Sequence, residues 1–416
     1  MPHILVIQLA RFGDLIQTKR LILSLAAIPE NRVHLCVDHS LAGLAQAVYP
    51  FATLHPIHAH AGGVAESRIL AENNASFTEM AGKDFAEVYN LNYSGLNFSV
   101  SALFAPEKVR GYSWRKGQQL KDRWPAMAFR WTRDRGPSPL NLADFWAHLT
   151  PRPIGPETVN PEARAHGKGI GVVLAGRHAR RSLPTETLAR VVTASAEKYD
   201  PKRIFLLGSK TERAAGSALK RAISAKLVDK VENLAGNTDW RGLLDALTGL
   251  DLVITPDTGT MHLAAHVGAP ILALFLSSAW AWETGPYGLG HQVWQARVPC
   301  GPCNESDPCG HDLECLAPFG QGPFLRGLTG KEGGEPPNSL LGLYTEFDEL
   351  GVRYTPFVGE DPHGEERNAG RALLARFLGA HLAQPPALER ENRLAAKLFR
   401  DRDWMTRDRH AVSGLE

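Results

Sequence analysis

The chain has 416 residues, more than one hydrophobic core usually organises, and this length predicts two domains plus a remainder. A hydrophobic content of 44% and a charged content of 22% are those of a soluble globular protein, and the net charge of +2 gives no sign of a nucleic-acid partner, so we predict none. The N-terminus lacks a signal-peptide pattern, and no apolar run is long enough to span a bilayer. We therefore expect a cytoplasmic protein.

The first predicted unit is a strand, a turn and a helix. Residues 4–9 are apolar, and the following apolar positions recur on one helical face: Leu15, Ile16, Ile22, Leu23 and Ala26. Asp14 falls at the start of this helix, where its carboxylate is either a helix cap or a reactive group that points into a cleft. Further strands at 33–37 and 88–91 predict a parallel sheet, whose ligand site lies beyond the carboxyl ends of the strands.

Residues 106–137 interleave basic and aromatic side chains, and Arg135 is among them. From this stretch we select Arg110, Arg115 and Lys116 as candidate ligands of an anionic acceptor. The same pattern is typical of a segment that lies against an anionic membrane surface, or of a solvated face with long basic stems. Prolines then mark a linker at Pro151, Pro153, Pro156 and Pro161.

A second domain is predicted from about residue 169. Its strands lie at 170–174, 204–207, 252–255 and 271–275, with helical stretches between them. Neither a dinucleotide fingerprint nor a Walker-type loop occurs, so a nucleotide would have to bind at other turns. Residues 325–362 are rich in glycine and proline and are predicted to be loop, except for 340–350. Helices are predicted at 371–382 and 388–399.

The segment 252–275 is predicted to form a βαβ unit, with one short apolar run before and one after a compact helix. Asp257 or Thr258 can cap that helix, and Gly259 lets a ligand approach the backbone closely. Free N–H groups and the positive end of the helix dipole at this turn favour a phosphate or pyrophosphate. The alternative is a capped helix in an ordinary α/β domain.

Four of the five cysteines are clustered, whereas Cys36 sits alone in an apolar run. The clustered residues have the spacing C-x2-C-x5-C-x5-C, with His311 among them: Cys300, Cys303, Cys309 and Cys315. In a reducing compartment this clustering suggests a metal before disulfides. Four thiolates can hold zinc tetrahedrally and can also hold iron, although the spacing is not that of a standard double knuckle. Free thiols are the alternative.

These motifs together resemble glycosyltransferase family 9, the heptosyltransferases that build the inner core of lipopolysaccharide. The resemblance covers about residues 3–318 and rests on the following segments in the family's order: ILVIQLARFGDLIQT, NLNYSGL, VRGY, NLAGNTDWRGLLDAL, TPDTGTMHLAAHVGAPILALF and TGPYG. It implies an α/β fold of the GT-B type, with two Rossmann-like domains that face each other across a cleft. Residues 1–160 would bind the acceptor, and 165–320 the nucleotide sugar, with a cysteine-rich insert at 300–315. Residues 321–416 would form a partly helical extension.

The resemblance implies inverting transfer, with no metal or other cofactor required for catalysis. Asp14 matches the family's base, which takes the proton from the acceptor hydroxyl. Thr258 and Gly259 match the family's phosphate-binding turn, where helix N–H groups stabilise the departing diphosphate. Asp257 precedes this turn, and His262 follows it one helical turn later.

Two further donor ligands are implied less directly. Family members carry a phosphate-contacting lysine two residues before a Trp-Pro pair; Arg181 takes the place of the lysine, and the tryptophan is lost. An arginine can grip a diphosphate bidentately. Glu212 resembles the acid that holds the ribose, or is simply a glutamate at a helix start.

The function implied is heptose transfer from ADP-heptose to an anionic glycolipid of the lipopolysaccharide core, with peripheral contact to the inner membrane. The cysteine insert is similar to one that holds iron in a related subgroup of autotransporter heptosyltransferases, so the resemblance leaves open a structural zinc or iron ion, with free thiols as the equal alternative. Two alternatives remain: a protein-acceptor heptosyltransferase, and a transferase-like binding module without chemistry. Retention of Asp14, Asp257, Thr258, Gly259 and His262 favours the enzyme.

Overall fold

The computed structural model describes residues 1–60, 62–132, 134–174, 179–304, 306–330, 336–380 and 382. The chain forms two sheets that consist mainly of parallel strands, with helices packed against them. The predicted α/β class is therefore confirmed. Among the described residues, no helix combines the length and apolar composition needed to cross a membrane.

The first sheet has the strand order β3-β2-β1-β4-β5-β6 and is parallel except for the β5–β6 hairpin. Its strands are β1 His3–Gln8, β2 Arg32–Asp38, β3 Thr53–Ile57, β4 Phe85–Asn90, β5 Val109–Arg115 and β6 Gln118–Lys121. The accompanying helices are α1 Phe12–Gln17, α2 Lys19–Ala26, α3 Ala42–Val48, α4 Glu66–Ala81, α5 Gly95–Ser101, α6 Arg123–Trp131 and α7 Leu142–Ala147. Strand β1 is central and apolar because helices cover both faces of the sheet.

The second sheet has the order β14-β13-β12-β11-β10-β7-β8-β9. Its strands are β7 Ile170–Val173, β8 Ile204–Leu207, β9 Val231–Asn233, β10 Leu252–Thr255, β11 Ile271–Phe275, β12 Gln292–Ala296, β13 Leu340–Asp348 and β14 Gly351–Val358. Its helices are α8 Thr185–Tyr199, α9 Arg213–Ala222, α10 Trp240–Leu247, α11 Gly259–His266, α12 Ala281–Thr284, α13 Gly322–Leu328 and α14 Gly364–Leu378. Strands β7 to β12 are parallel and follow the doubly wound order, in which the strand order reverses between β7 and β10, where such sheets bind ligands.

The prediction of loop for residues 325–339 and 351–362 is wrong for the end of helix α13 and for strand β14, whereas strand β13 lies within the excepted 340–350. Strands β13 and β14 form a hairpin that extends the second sheet through antiparallel pairing of β13 with β12. Glycines and Pro356 obscured the strand pattern, but a proline is tolerated on an edge strand, and β14 is the edge. The helix predicted at 371–382 is α14, which begins earlier, and the one predicted at 388–399 lies outside the described residues. The domain limits themselves stay a prediction.

A buried polar cluster ties the hairpin turn to the first half of the chain; we call it the Asp144 cluster. Asp144 Oδ1 accepts hydrogen bonds from Arg20 Nη1 and from the Tyr287 hydroxyl, both at 2.6 Å. Asp144 Oδ2 accepts from the backbone N of Val352 at 2.9 Å, and Arg20 Nη1 also donates to Leu350 O at 2.8 Å. The Arg20 and Asp144 side chains are 2% and 0% exposed, so each charge is compensated where water cannot reach it.

Candidate functional site

The starts of helices α1 and α11 face each other across the two halves of the molecule. A Cβ atom on Gly13 would lie 3.2 Å from Gly259 Cα and 3.5 Å from His262 Cδ2, and a Cβ atom on Gly259 would overlap the ring of Phe12. That ring also packs on Trp240, with 5.2 Å between ring centroids. Both glycines are thus required by the close approach of the two helix starts.

Asp14 lies in the first turn of α1, next to this contact. Its Oδ2 accepts a hydrogen bond from the backbone N of Arg11 at 3.1 Å. Burial raises the pKa of the Asp14 carboxyl above its ordinary value, while the Arg11 hydrogen bond and the charges of Arg11 and Arg181 act to lower it. A raised pKa makes the carboxylate a better proton acceptor near neutral pH, which suits a general base. The hydrogen bond also fits the cap interpretation.

In the turn after β10, Thr258 and Asp257 have different roles, although the sequence allowed either of them to cap α11. Thr258 caps α11, because its Oγ1 accepts a hydrogen bond from the backbone N of Met261 at 3.3 Å. Asp257 turns instead toward Arg181, whose Nη1 lies 3.4 Å from Asp257 Oδ2, and toward Thr284, whose Oγ1 donates to the same oxygen at 3.2 Å. A Cβ atom on Gly13 would also lie 3.6 Å from the backbone N of Gly259, so the start of α11 lies at the contact with α1.

The carboxylates and guanidinium groups of the site lie close enough to affect one another's charge state. Burial raises the pKa of Asp257 to about 6, and the charges of Asp14 and Glu283 add to this, while Arg181 and the Thr284 hydrogen bond oppose it. Arg135 donates from Nη2 to Glu283 Oε2 at 2.6 Å. The charge of Arg181 lowers the pKa of both Asp14 and Asp257, so this guanidinium lies within electrostatic range of the two carboxylates. A cation at this position can also neutralise a diphosphate.

A cavity of about 920 Å³ adjoins these residues. Thr284 belongs both to its lining and to the hydrogen bond with Asp257. Its remaining wall is mainly aromatic and apolar and includes Tyr112, Trp131, Leu140, Leu142, Phe145 and Trp146. His363 of the C-terminal segment also lines it. A volume of this size accommodates a ligand of several rings.

The three predicted acceptor ligands lie on or next to strand β5. Arg110 is held by Glu87, with 3.1 Å between Nη2 and Oε1. Arg115 and Lys116 are exposed at the turn between β5 and β6, where Lys116 has a φ of 48°. Tyr112 of the same strand reaches the cavity lining. The acceptor roles of the three cations stay predictions.

Glu212 and His262 occupy different surroundings. Glu212 lies just beyond the carboxyl end of β8, and its Oε2 accepts a hydrogen bond from the backbone N of Ser209 at 2.5 Å, which completes a capping box. His262 is buried, and burial lowers its pKa to about 4, so the imidazole is neutral at pH 7. It can act as a hydrogen-bond partner but not as a cation. Both donor-binding roles stay predictions.

The clustered cysteines surround a second cavity, of about 210 Å³, which all four of them line. The ligand atoms of Cys300, His311 and Glu314 lie within 4.8 Å of one another. Cys303 is engaged elsewhere, since Arg180 Nη2 donates to its Sγ at 3.2 Å. Sulfur, nitrogen and carboxylate donors in this set suit zinc. The structure thus groups Cys300 with His311 and Glu314, and the four-thiolate arrangement stays a prediction.

Sequence reasoning missed the residues that connect the site to the large cavity. Arg135 joins the segment before α7 to helix α12 through Glu283, and Thr284 joins α12 to Asp257 in the turn after β10. Arg135 belongs to the basic and aromatic stretch, and Thr284 begins the segment TGPYG, so both lay within noted motifs. Nothing in their spacing indicates that residues 148 positions apart form an ion pair.

Comparison with known proteins agrees with this geometry. Residues 163–310 match the family described as glycosyltransferase family 9 (heptosyltransferase). Lipooligosaccharide heptosyltransferase 2 of Haemophilus influenzae is 33% identical over 72 residues, which are 17% of this chain and 21% of that protein. The match to this curated relative thus spans only about a fifth of its length.

Solved structures extend the likeness to both halves. The E. coli ADP-heptose lps heptosyltransferase II has 17% sequence identity and a TM-score of 0.53, over 77% of this chain and 98% of that one. The E. coli heptosyltransferase WaaC with ADP has 15% identity and a TM-score of 0.50, over 71% and 93% respectively.

These structures define the class of protein as an α/β protein of the GT-B type, with two facing Rossmann-like halves. Because their sequence identities to this chain are only 17% and 15%, these two structures show the fold alone. The family match adds the sequence evidence, and the predicted resemblance to glycosyltransferase family 9 is thereby confirmed, with the matched residues in the second half of the chain.

Proposed function

We propose that the protein is an inverting glycosyltransferase that transfers heptose from ADP-heptose to an acceptor hydroxyl. The observation that carries this proposal is the contact between the start of α1, with Asp14, and the start of α11, with Thr258 and Gly259. A base and a phosphate-binding turn on opposite halves are the two parts that the reaction requires. The E. coli heptosyltransferase WaaC, whose solved structure contains ADP, supports the choice of nucleotide.

In the proposed reaction the acceptor oxygen attacks the anomeric carbon from the face opposite the diphosphate. The new C–O bond forms while the bond between the anomeric carbon and the phosphate oxygen breaks, and its electron pair leaves with the diphosphate. Asp14 takes the proton of the acceptor hydroxyl. The N–H groups at the start of α11 and the Arg181 guanidinium stabilise the charge that develops on the leaving diphosphate. Glu212 would hold the ribose.

The acceptor would occupy the large cavity. Its aromatic wall suits the apolar faces of sugar rings, and Arg135 is there paired with Glu283, so the cavity itself offers little free positive charge. We place the anionic groups of a lipopolysaccharide-core acceptor outside it, at Arg110, Arg115 and Lys116. The same basic and aromatic stretch could then make the peripheral membrane contact. A hydroxyl of a protein acceptor would fit the same cavity, and this remains the second candidate.

A donor screen tests the proposed function. Purified protein, with heptose-deficient lipopolysaccharide as acceptor, should release nucleoside diphosphate from ADP-heptose faster than from UDP or GDP sugars. Release from UDP or GDP sugars alone would contradict the donor assignment. No release from any donor, although ADP binds, would favour the non-catalytic binding module.

The cysteine cluster would hold a structural metal and take no part in transfer. We expect elemental analysis of purified wild type to find about one more zinc or iron ion per chain than a variant that lacks this cluster. Exchange of Cys300 for serine should remove it, whereas exchange of the isolated Cys36 should not. A metal-free preparation that is fully active and equally stable would contradict this assignment.

A further inference from the structure

A second group of metal-ligand side chains lies far in sequence from the cysteines, on the first sheet. His39 directly follows β2, and His58 directly follows β3, so the two neighbouring parallel strands deliver both imidazoles to the same edge of the sheet. Their rings stack, with 4.3 Å between centroids and 14° between planes. Glu72 reaches the same place from helix α4.

The three side chains converge on one point. His58 Nε2 lies 2.6 Å and His39 Nε2 lies 3.6 Å from the same oxygen, Glu72 Oε2, and all three ligand atoms lie within 4.8 Å of one another. Tetrahedral zinc with bonds of about 2.0–2.1 Å has ligand atoms roughly 3.3 Å apart. The two observed separations bracket that value, so small side-chain rotations suffice to place all three atoms around one ion.

The surroundings hold the carboxylate in position. Arg68 Nε donates to Glu72 Oε1 at 2.7 Å, which leaves Oε2 directed at the two imidazoles. Partners of this kind orient metal ligands and contribute to affinity. The backbone N of His58 donates to Asn73 Oδ1 at 2.7 Å, so the loop and the helix are already joined without an ion.

Access and ligand type decide which ion fits. The His39 and Glu72 side chains are 45% and 36% exposed, while that of His58 is 6% exposed, so an ion enters from solvent and keeps open positions for water. Two imidazoles and one carboxylate suit zinc and its neighbours copper and nickel, and do not suit magnesium or calcium.

We propose that His39, His58 and Glu72 bind one divalent transition-metal ion of the zinc class, independently of the cysteine cluster. Ion binding fixes the segment 58–60, which follows β3. That segment is linked to the site by His60, which shares a hydrogen bond with Leu9 O at 2.8 Å, two residues before Arg11. The ion therefore rigidifies the support of the loop that leads from β1 into helix α1 and Asp14, and it takes no part in the chemistry.

Calorimetric titration of Zn²⁺ into the chelator-treated full-length protein tests this proposal. Because the cysteine cluster is also proposed to bind zinc, the quantity measured is the difference in zinc stoichiometry between variants. Wild type should bind one more equivalent than His58→Gln or His39→Gln. Arg68→Gln should keep the site but weaken it by roughly tenfold or more.

The neighbouring histidine supplies the matched control. His60 lies in the same segment but outside the trio, so His60→Gln should keep the full stoichiometry. Zinc should also raise the melting temperature of wild type and His60→Gln by more than that of His58→Gln. Equal stoichiometry in wild type, His39→Gln and His58→Gln would overturn the proposal, since His58 and Glu72 would then form only a hydrogen-bonded pair. An equal loss of bound zinc in His60→Gln and in His58→Gln would overturn the proposal as well.

Discussion

Single residues at the site carry opposing electrostatic effects, and Asp257 shows them most clearly. Burial raises its pKa from an ordinary value of 3.8 to about 6, so the folded state prefers the protonated form. A raised folded-state pKa contributes stability that is full below pH about 4 and is lost as the pH rises through about 6. The ionised group is tolerated at neutral pH because Arg181 and Thr284 contact it.

Asp257→Asn removes this pH dependence, because an amide does not ionise. Between pH 4 and pH 7 the free energy of unfolding of wild type should therefore fall relative to that of the variant, by up to about 3 kcal/mol at 1.36 kcal/mol per pKa unit. Urea denaturation across this range measures the change. Parallel stability profiles for the two proteins would show that the pKa of Asp257 is not raised in the folded state.

Arg181 and Arg180 are adjacent, but they face different groups. Arg181 contacts Asp257, while Arg180 donates to Cys303 Sγ and to Asp307 O. Arg181→Ala should remove a charge-assisted contact with the diphosphate of about 1.5–3 kcal/mol, which lowers ADP affinity about tenfold or more. Arg180→Ala is the control and should leave ADP affinity within about twofold. Equal ADP affinity in calorimetric titrations of both variants and wild type would place the nucleotide elsewhere.

At the scale of the element, the β13–β14 turn is defined by one glycine. Gly351 has a φ of 144°, and a Cβ atom there would overlap the carboxylate of Asp144. An added methyl group must therefore displace the Asp144 cluster and strain the backbone.

We expect Gly351→Ala to lower the free energy of unfolding by about 3 kcal/mol or more, as disruption of a buried ion pair does. Gly327 lies inside α13 with nothing within 4 Å of its Cβ position, so Gly327→Ala should be neutral or stabilising. Equal effects of the two changes in chemical denaturation would show that the turn is not packed against Asp144.

Sequence patterns predicted the elements that contain long apolar runs. They did not predict contacts between residues that are distant in the sequence. The strand and helix of 252–275 occur as predicted, because burial on both faces of a parallel sheet leaves a continuous apolar signal. Strand β14 was missed, since its place in the sheet depends on pairing with β13. The prediction that Gly259 admits a ligand stays a prediction, and in the structure its missing side chain makes room for the ring of Phe12. That contact joins residues about 250 positions apart, and no local pattern encodes it.

At the scale of the whole molecule, the two halves pack as one body around the site. One hydrophobic cluster contains Leu15 and Leu21 of the first half together with Met261 and Leu263 of the second. Lys19 Nζ adds a polar link through hydrogen-bonding contacts to Asn160 Oδ1 and His266 Nδ1, both at 2.7 Å. The division into an acceptor domain, a nucleotide-sugar domain and an extension remains our proposal, and the hairpin of the extension is part of the second sheet.

The central claim is that Asp14 of one half does chemistry on a donor held by the other half. Asp14→Asn keeps the size and hydrogen-bonding ability of the side chain but cannot take the proton. Turnover of ADP-heptose should therefore fall by at least about a hundredfold, while the ADP affinity of the same preparation stays within a few-fold. Near-normal turnover in a variant that still binds ADP would show that Asp14 is only a helix cap and would contradict the account.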